Sequence, residues 1–160
     1  MPSKPNAAIF VDVQNIYYTT REAFNRNFDY NVFWREVEQT YSIDRAYAYA
    51  IASKQEKQRQ FHHILRGIGF EVKLKPFTQR SDGTTKGDWD VGIALDVYEN
   101  AKDVETVILL SGDGDFDVLS QRIKQRFDVE VVVYSVKQLT AQSLIDQANV
   151  YVAIEDHLLL

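Results

Sequence analysis

The stretch 107–117 constrains the fold of this chain more strongly than any other. Four consecutive apolar residues, 107–110, run directly into the turn sequence Ser-Gly-Asp-Gly-Asp-Phe-Asp. An uninterrupted apolar run of this kind predicts a parallel strand buried on both faces, and the glycines after it predict a tight turn. Three carboxylates at alternate positions, Asp113, Asp115 and Asp117, therefore follow the carboxyl end of a buried strand.

Crowded carboxylates are unfavourable unless something compensates their charge. At an effective dielectric constant of 20, two carboxylates about 5 Å apart repel each other by roughly 3 kcal/mol, a large part of a small domain's stability. A divalent cation bound by these oxygens would remove the repulsion, so we expect a Mg²⁺ or Mn²⁺ site. The alternative is that Asp and Gly here only form a turn and cap the following helix.

Composition limits the classes of protein to which the chain can belong. Its 160 residues predict one domain, 1–160, with enough length to bury a core, and the absence of cysteine excludes disulfides, thiolate zinc sites and a cysteine nucleophile. A pI of 5.2 and a net charge of −5 argue against binding nucleic acid by bulk charge alone. No apolar run approaches the roughly 20 residues that cross a bilayer, and the first residues do not resemble a signal peptide. We therefore expect a cytoplasmic protein that does not contact a membrane.

Strand and helix patterns alternate along the chain. Apolar or alternating segments predict strands at 7–13, 45–51, 70–75, 107–110, 130–135 and 150–154. Helical periodicity predicts helices at 16–27, 31–40, 54–68, 88–100, 116–127 and 139–147. This alternation implies a three-layer α/β domain around a mostly parallel sheet. Right-handed crossovers bring all strand-to-helix loops to one edge of such a sheet, where Asp12, Asp90 and Asp113 would meet.

The apolar spacing also predicts which faces of two helices are buried. In the helix at 54–68, the residues expected to face inward are Phe61, Ile64, Leu65 and Ile68. In the helix at 88–100, they are Val91, Ala94, Leu95 and either Val97 or Tyr98. A polar loop at 78–87 precedes the second helix and is long enough to be functional.

Several familiar site motifs are excluded by single residues. An EF-hand loop that began at Asp113 would need glycine at its sixth position, where Val118 stands. A dinucleotide-binding fingerprint that began at Gly112 would need a third glycine in place of Asp117. There is no Walker A segment, and the adjacent histidines at 62–63 have no third metal ligand nearby, so we expect surface or packed side chains there.

Three segments resemble the signature stretches of NYN domains, the LabA-like branch of the PIN-like nucleases. They are Ile-Phe-Val-Asp-Val-Gln-Asn at 9–15, Lys-Gly-Asp-Trp-Asp-Val at 86–91 with Asp96 further on, and Ser-Gly-Asp-Gly-Asp-Phe at 111–116. The resemblance covers nearly the whole chain, and the third stretch is its most specific part. It implies a PIN-like (Rossmann-like) sheet of five or six strands in the order 3-2-1-4-5, and a metal-dependent ribonuclease centre.

The resemblance also implies roles for individual residues. Four carboxylates would be both catalytic and ligands of Mg²⁺ or Mn²⁺: Asp12, Asp90, Asp113 and Asp115. Further residues near the ion or a phosphate would be Asn15, Asp88, Ser111 and Asp117. Family members differ in how many residues follow the Lys-Gly pair, so the choice between Asp88 and Asp90 as ligand stays open.

A centre of this kind suits phosphodiester hydrolysis by a metal-activated water, which requires no side-chain nucleophile. We expect a ribonuclease acting on single-stranded or structured RNA. Basic residues that would contact the substrate are Lys86, Arg80 and Lys73, with Lys75 and Lys54 on the same edge. The alternative is that these side chains are ordinary solvated surface. Tyr17, Tyr18 and Trp89 adjoin the expected ligands, and we expect core packing of each more than stacking on an unpaired base.

Of two other functions, the first stays open and the second lacks a required residue. The chain could be a non-catalytic PIN-like module that recruits RNA or a protein, which its acidity would suit. A receiver-like phosphotransfer domain would need an Asp at the end of the third strand, and 72–75 has none. The three leucines at 158–160 could seal the core or form a dimer contact, so a homodimer also stays open.

Overall fold

The structure is a computed structural model that describes residues 3–76, 78–79, 85–86 and 89–160. Its strands are β1 Asn6–Asp12, β2 Ser42–Ile51, β3 Glu71–Lys75, β4 Thr78–Gln79, β5 Thr85–Lys86, β6 Thr106–Leu110, β7 Glu130–Ser135 and β8 Val150–Ala153. Its α-helices are α1 Val13–Phe24, α2 Tyr30–Thr40, α3 Glu56–Ile68, α4 Asp90–Ala101, α5 Asp117–Phe127 and α6 Gln142–Gln147. Three short 3₁₀ turns span Gly114–Phe116, Lys137–Leu139 and Asp156–Leu158. Within these described residues, no helix has both the length and the apolar composition needed to cross a bilayer.

Six strands form one sheet in the order β3-β2-β1-β6-β7-β8, and every neighbouring pair is parallel. Counted along the chain without the small β4–β5 pair, this order is 3-2-1-4-5-6. The predicted order 3-2-1-4-5 is therefore confirmed, with a sixth strand added at the edge beside β7. Strand β1 lies between β2 and β6, so that Ile9 pairs with Ala46 on one side and with Ile108 on the other.

Alternate residues of the central strands enter two separate apolar layers, as strand geometry requires. Ile9 and Ile108 pack beneath α1, α2 and α3, whereas Phe10 and Leu109 pack beneath α4 and α5. The whole run Ala7 to Val11 is inaccessible to solvent, which explains why β1 is almost entirely apolar up to its last residue. The three-layer prediction is confirmed.

The predicted buried face of α4 was wrong. Ile93, Val97 and Ala101 enter the core, whereas Val91 and Leu95 are 72% and 64% exposed. The helix has two apolar stripes at helical spacing, so the sequence pattern alone does not decide which stripe faces the sheet. Among the expected positions, Val97 is buried and Ala94 is half-buried, while Tyr98 is exposed.

Two smaller predictions concern α3 and the terminal leucines. On α3, Leu65 and His62 are buried, whereas Ile64 is 56% exposed and was wrongly assigned to the core. Among the terminal leucines, Leu158 and Leu159 are buried in the layer beneath α2, which confirms the sealing role, while Leu160 is exposed.

Candidate metal centre at the carboxyl edge of the sheet

The fold brings two strand ends together where the order of the sheet reverses. Strand β1 ends at Asp12 and the adjacent strand β6 ends at Leu110, so the segments that follow both strands leave the same edge. Ligands of open parallel sheets bind in the crevice at such a reversal, outside the carboxyl ends of the strands. The acidic turn after β6 lies in this crevice.

Three carboxylates meet here. Asp90, Asp113 and Asp115 each contribute an oxygen, and these atoms all lie within 4.8 Å of one another. Asp90 is the first residue of α4, while Asp113 precedes the 3₁₀ turn that contains Asp115. Asp115 is exposed and the other two are half-buried. A set of carboxylate oxygens with one open side fits a hard divalent cation such as Mg²⁺ or Mn²⁺.

Asp113 also acts as a cap, so the alternative interpretation of this turn is partly correct. Its Oδ1 accepts a hydrogen bond of 2.9 Å from the backbone N–H of Asp115. A carboxylate has two oxygens and about four lone-pair directions, so one capping bond leaves room for a cation. Capping and metal binding are therefore compatible at this residue.

Asp12, the fourth expected ligand, is outside the group of three and is connected to it through Ser111. The side chain is buried, and its Oδ1 accepts a hydrogen bond of 3.3 Å from the backbone N–H of Asn15. The Ser111 hydroxyl donates to Asp12 Oδ2 at 3.2 Å and accepts from the backbone N–H of Asp113 at the same distance. Ser111 thus links the end of β1 to the acidic turn.

Asn15 holds the acidic turn against the start of α1. Its side-chain oxygen accepts a hydrogen bond of 3.0 Å from the backbone N–H of Gly112. The amide oxygen of Asn15 therefore orients the peptide between Ser111 and Gly112.

Two glycines allow the acidic turn to pack against the segment after β7. A Cβ at Gly112 would lie 2.8 Å from Thr140 Oγ1, and one at Gly114 would lie 2.8 Å from Ala141 Cβ. The backbone N–H of Ala141 also donates to the Gly112 carbonyl at 3.3 Å. The sequence gives no sign of this contact, because residues 140–141 lie far along the chain and carry no motif.

Trp89 fixes the first turn of α4, which presents Asp90. Its indole N–H donates to the Ala50 carbonyl at 2.7 Å, and its ring packs 5.3 Å from that of Tyr49. A Cβ at Gly92 would lie 2.6 Å from the Trp89 ring, so glycine makes room for the indole. The packing role expected of Trp89 is confirmed.

Lys73 forms an ion pair within the fold. Its ammonium lies 2.7 Å from Asp96 Oδ2 and 4.7 Å from the centre of the Tyr47 ring. The same Asp96 oxygen accepts a hydrogen bond of 2.8 Å from the Tyr49 hydroxyl. Burial, and then this bond to Asp96, raises the pKa of Tyr49 far above its usual value, so the hydroxyl stays a donor. The charge of Lys73 is thus largely compensated by α4.

The remaining expected site residues fall into two groups. Asp88, Arg80 and the side chain of Lys86 lie outside the described residues. Asp117 begins α5, where its carboxylate accepts a hydrogen bond from the backbone N–H of Val118, and it is not a member of the three-carboxylate group.

Two tyrosines contradict the prediction of core packing. Tyr17 and Tyr18 on α1 are 48% and 60% exposed, with ring centres 5.5 Å apart. Their rings therefore remain accessible to solvent.

Comparison with known proteins identifies the family. The family model for the NYN domain matches residues 6–155. The low amplitude and bright protein LabA of Synechococcus elongatus is 25% identical over 158 residues, which cover 93% of this chain and 83% of that protein. A protein of unknown function from Vibrio parahaemolyticus, known from a crystal structure, is 60% identical in sequence to this chain. The alignment covers both chains completely, and the two structures superpose with a TM-score of 0.94. This chain therefore belongs to the NYN domain family of PIN-like nucleases.

Proposed function

We propose that the protein is a divalent-metal-dependent ribonuclease that hydrolyses phosphodiester bonds in RNA. The supporting observation is the meeting of Asp90, Asp113 and Asp115 oxygens within 4.8 Å at the reversal point of the sheet. Membership of a PIN-like nuclease family adds support from an independent source. The proposal includes Mg²⁺ or Mn²⁺ as the resident ion and RNA as the substrate.

Asp90, Asp113 and Asp115 would hold the ion, and Asp12 would add a fourth negative charge through its connection with Ser111. When bound, a divalent ion supplies Lewis-acid polarisation of a phosphate oxygen and lowers the pKa of a coordinated water. The chain's own contribution is to orient these carboxylates before substrate arrives. Ser111 and Asn15 do this by binding the acidic turn to the end of β1 and the start of α1.

The exposed carboxylate of Asp115 is the group that an attacking water could reach from solvent. A carboxylate in this position can accept the proton that the water releases, which is ordinary general-base chemistry. Asp113 is less available for this role, because one of its oxygens already accepts the backbone N–H of Asp115. In the proposed reaction, Asp115 therefore receives the proton on one carboxylate oxygen, while its other oxygen holds the ion together with Asp90 and Asp113.

A second function is favoured by the charge balance of the chain. The net charge is −5, and Lys73, which was expected to contact substrate, is paired with Asp96. A PIN-like module that recruits RNA or a protein without cleaving it would retain the same fold. Catalysis and recruitment are separated by the experiment below.

Purified protein is incubated with end-labelled single-stranded RNA in Mn²⁺, in Mg²⁺ and in EDTA. We compare the wild type with Asp113→Asn and with Asp44→Asn, which removes the same charge near the start of β2, at the opposite edge of the sheet. Loss of residues that merely support metal ligands costs about 10- to 100-fold. We therefore expect Asp113→Asn to lose at least that much activity, while Asp44→Asn cleaves like the wild type. Cleavage that is equal in wild type and Asp113→Asn, or absent from both, would refute the nuclease proposal.

A further inference from the structure

A cleft of about 570 Å³ opens between α1 and the first turns of α3. Its lining combines apolar, aromatic and basic side chains, including Ile16, Tyr17, Tyr18, Arg21, Lys57 and Phe61. Pockets for small ligands have volumes of about 300–1,000 Å³, so the cleft is large enough for a nucleotide-sized group.

The start of α1 connects the cleft with Asp12 at the end of β1. Val13 and Gln14 line the cleft, and they directly follow Asp12 in the chain. Tyr30 also lines the cleft, and burial, followed by the negative charge of Asp12, raises the pKa of its hydroxyl. A strand of RNA with one phosphate at the acidic group would therefore extend toward this cleft.

The two exposed rings at the cleft suit a flat ligand. Tyr17 and Tyr18 meet edge to face, with an angle of 75° between their planes, and both keep about half or more of their surface accessible. Every nucleobase has a π-face, so aromatic side chains of this kind bind unpaired bases with little dependence on sequence. Buried Ile16 and half-buried Phe61 provide an apolar surface deeper in the cleft.

Two cations at the cleft are available to a phosphate. Arg21 and Lys57 are exposed, and neither forms an ion pair with any acid in the described part of the chain. In a chain of net charge −5, two positive side chains around an aromatic cleft favour an anionic ligand over an apolar peptide.

We propose that this cleft binds an unpaired nucleobase of the RNA, next to the phosphate at the acidic crevice. Because the two tyrosine rings are nearly perpendicular, one of them stacks on the base and the other contacts its edge. Arg21 and Lys57 contact an adjoining phosphate. The proposal rests on the proposed function, since it places the same RNA strand at both sites.

The test uses full-length Asp113→Asn protein, which is expected not to cleave, and a single-stranded RNA octamer with 2-aminopurine placed at each position in turn. We expect the fluorescence of one position to be quenched on binding. Replacing both Tyr17 and Tyr18 by alanine should remove that quenching and weaken RNA binding by about tenfold or more. Tyr98→Ala is the matched control, because Tyr98 is a half-exposed tyrosine on α4 that does not line the cleft.

An RNA with an abasic residue at the quenched position completes a double-mutant cycle. Its affinity for the parent protein should fall to that of the doubly substituted protein, with no further loss when both changes are combined. Phenylalanine at both positions should restore binding, because it keeps the stacking surface. Unchanged RNA affinity in the double alanine protein, or equal losses in Tyr98→Ala, overturns the proposal.

Two further outcomes separate this proposal from the nuclease proposal. Quenching that persists while wild-type protein fails to cleave supports the base site and refutes only the nuclease. Metal-dependent cleavage with an unchanged KM after both tyrosine substitutions supports the nuclease and overturns the base site. Sedimentation that shows self-association through these tyrosines, with no effect on RNA binding, also overturns it, in favour of a second copy of the chain.

Discussion

Removing the charge of Asp115 is expected to stabilise the metal-free protein. Its carboxylate oxygen lies within 4.8 Å of oxygens of both Asp90 and Asp113. At that separation each pair repels by about 3.5 kcal/mol at a dielectric constant of 20 but by only about 0.9 kcal/mol in water. Because Asp115 is exposed, the lower figure applies, and two pairs give about 2 kcal/mol at low salt.

One favourable interaction is lost with the same charge. A carboxylate in a first helical turn contributes about 0.3–1 kcal/mol through the helix dipole, and Asp115 lies in the first turn of its 3₁₀ segment. The net gain for Asp115→Asn is therefore about 1 kcal/mol, which raises Tm by roughly 2–4 °C in a chain of this size. Asp113→Asn should gain less, since it also weakens the cap on the Asp115 backbone N–H.

Added metal should reverse the order of stability of the wild type and Asp115→Asn. At a free Mn²⁺ concentration 100 times Kd, binding to the folded state stabilises the wild type by about 2.7 kcal/mol. Asp115→Asn has one carboxylate fewer at the site and should gain clearly less stability from Mn²⁺. The wild type therefore becomes the more stable protein in Mn²⁺.

Thermal melts in EDTA and across a Mn²⁺ titration measure both effects, with Asp44→Asn as the charge-matched control at the opposite edge of the sheet. If Asp115→Asn melts below the wild type in EDTA and neither responds to Mn²⁺, the acids serve as caps and the reasoning above is refuted. Titration calorimetry with no heat for Mn²⁺ or Mg²⁺ would lead to the same conclusion.

Three further predictions follow from named contacts. Gly112→Ala should lower the free energy of unfolding in urea by about 1–3 kcal/mol, because its Cβ would meet Thr140. The control Gly67→Ala on α3 meets nothing within 4 Å and should raise that free energy by up to about 1 kcal/mol. Ser111→Ala should weaken Mn²⁺ affinity about 10- to 100-fold in calorimetry, since the hydroxyl links two of the expected ligand residues. Burial, and then the positive charge of Arg66, lowers the pKa of His62 below its usual 6.5, so the unfolded chain binds the proton more readily than the folded protein. The contribution of neutral His62 to folding stability is therefore present above about pH 6.5 and is lost as pH falls through the lowered pKa. Thermal melts of wild type and His62→Gln between about pH 7.5 and 5 would detect this loss.

The sheet could be predicted from the sequence because each strand has its own apolar pattern, and that pattern recurs along the chain. The apolar runs of β1 and β6 require burial on both faces, and right-handed crossovers then determine which edge receives Asp12 and Asp113. The meeting of three acids from two distant segments follows from that topology. The structure was required to show that Asp90 belongs to the group, that Asp12 lies outside it, and how close the oxygens are.

The sequence did not predict the buried face of α4 or the partner of Lys73, because local sequence patterns do not determine them. The helix α4 has one apolar stripe at Ile93 and Val97 and another at Val91 and Leu95, and packing against the sheet selects the first. Likewise, no local signal could pair Lys73 with Asp96, because the partner lies 23 residues away. Charged side chains on separate elements find partners through tertiary packing, which spacing along the chain does not encode.

The same backbone features explain how the acids can lie together before any ion binds. Asp90 begins α4, and Asp113 and Asp115 stand at the start of a 3₁₀ turn, so helix dipoles and a capping bond offset part of their repulsion. The offset is incomplete for oxygens within 4.8 Å, and the remaining unfavourable energy is what a divalent ion would relieve. An acidic chain with such a centre would repel RNA without its ion, so the ion would control substrate binding as well as chemistry. RNA affinity measured with Asp113→Asn in EDTA and in Mg²⁺ would separate the effect of the ion on substrate binding from its effect on chemistry, because that protein keeps most of the charge and loses one ligand.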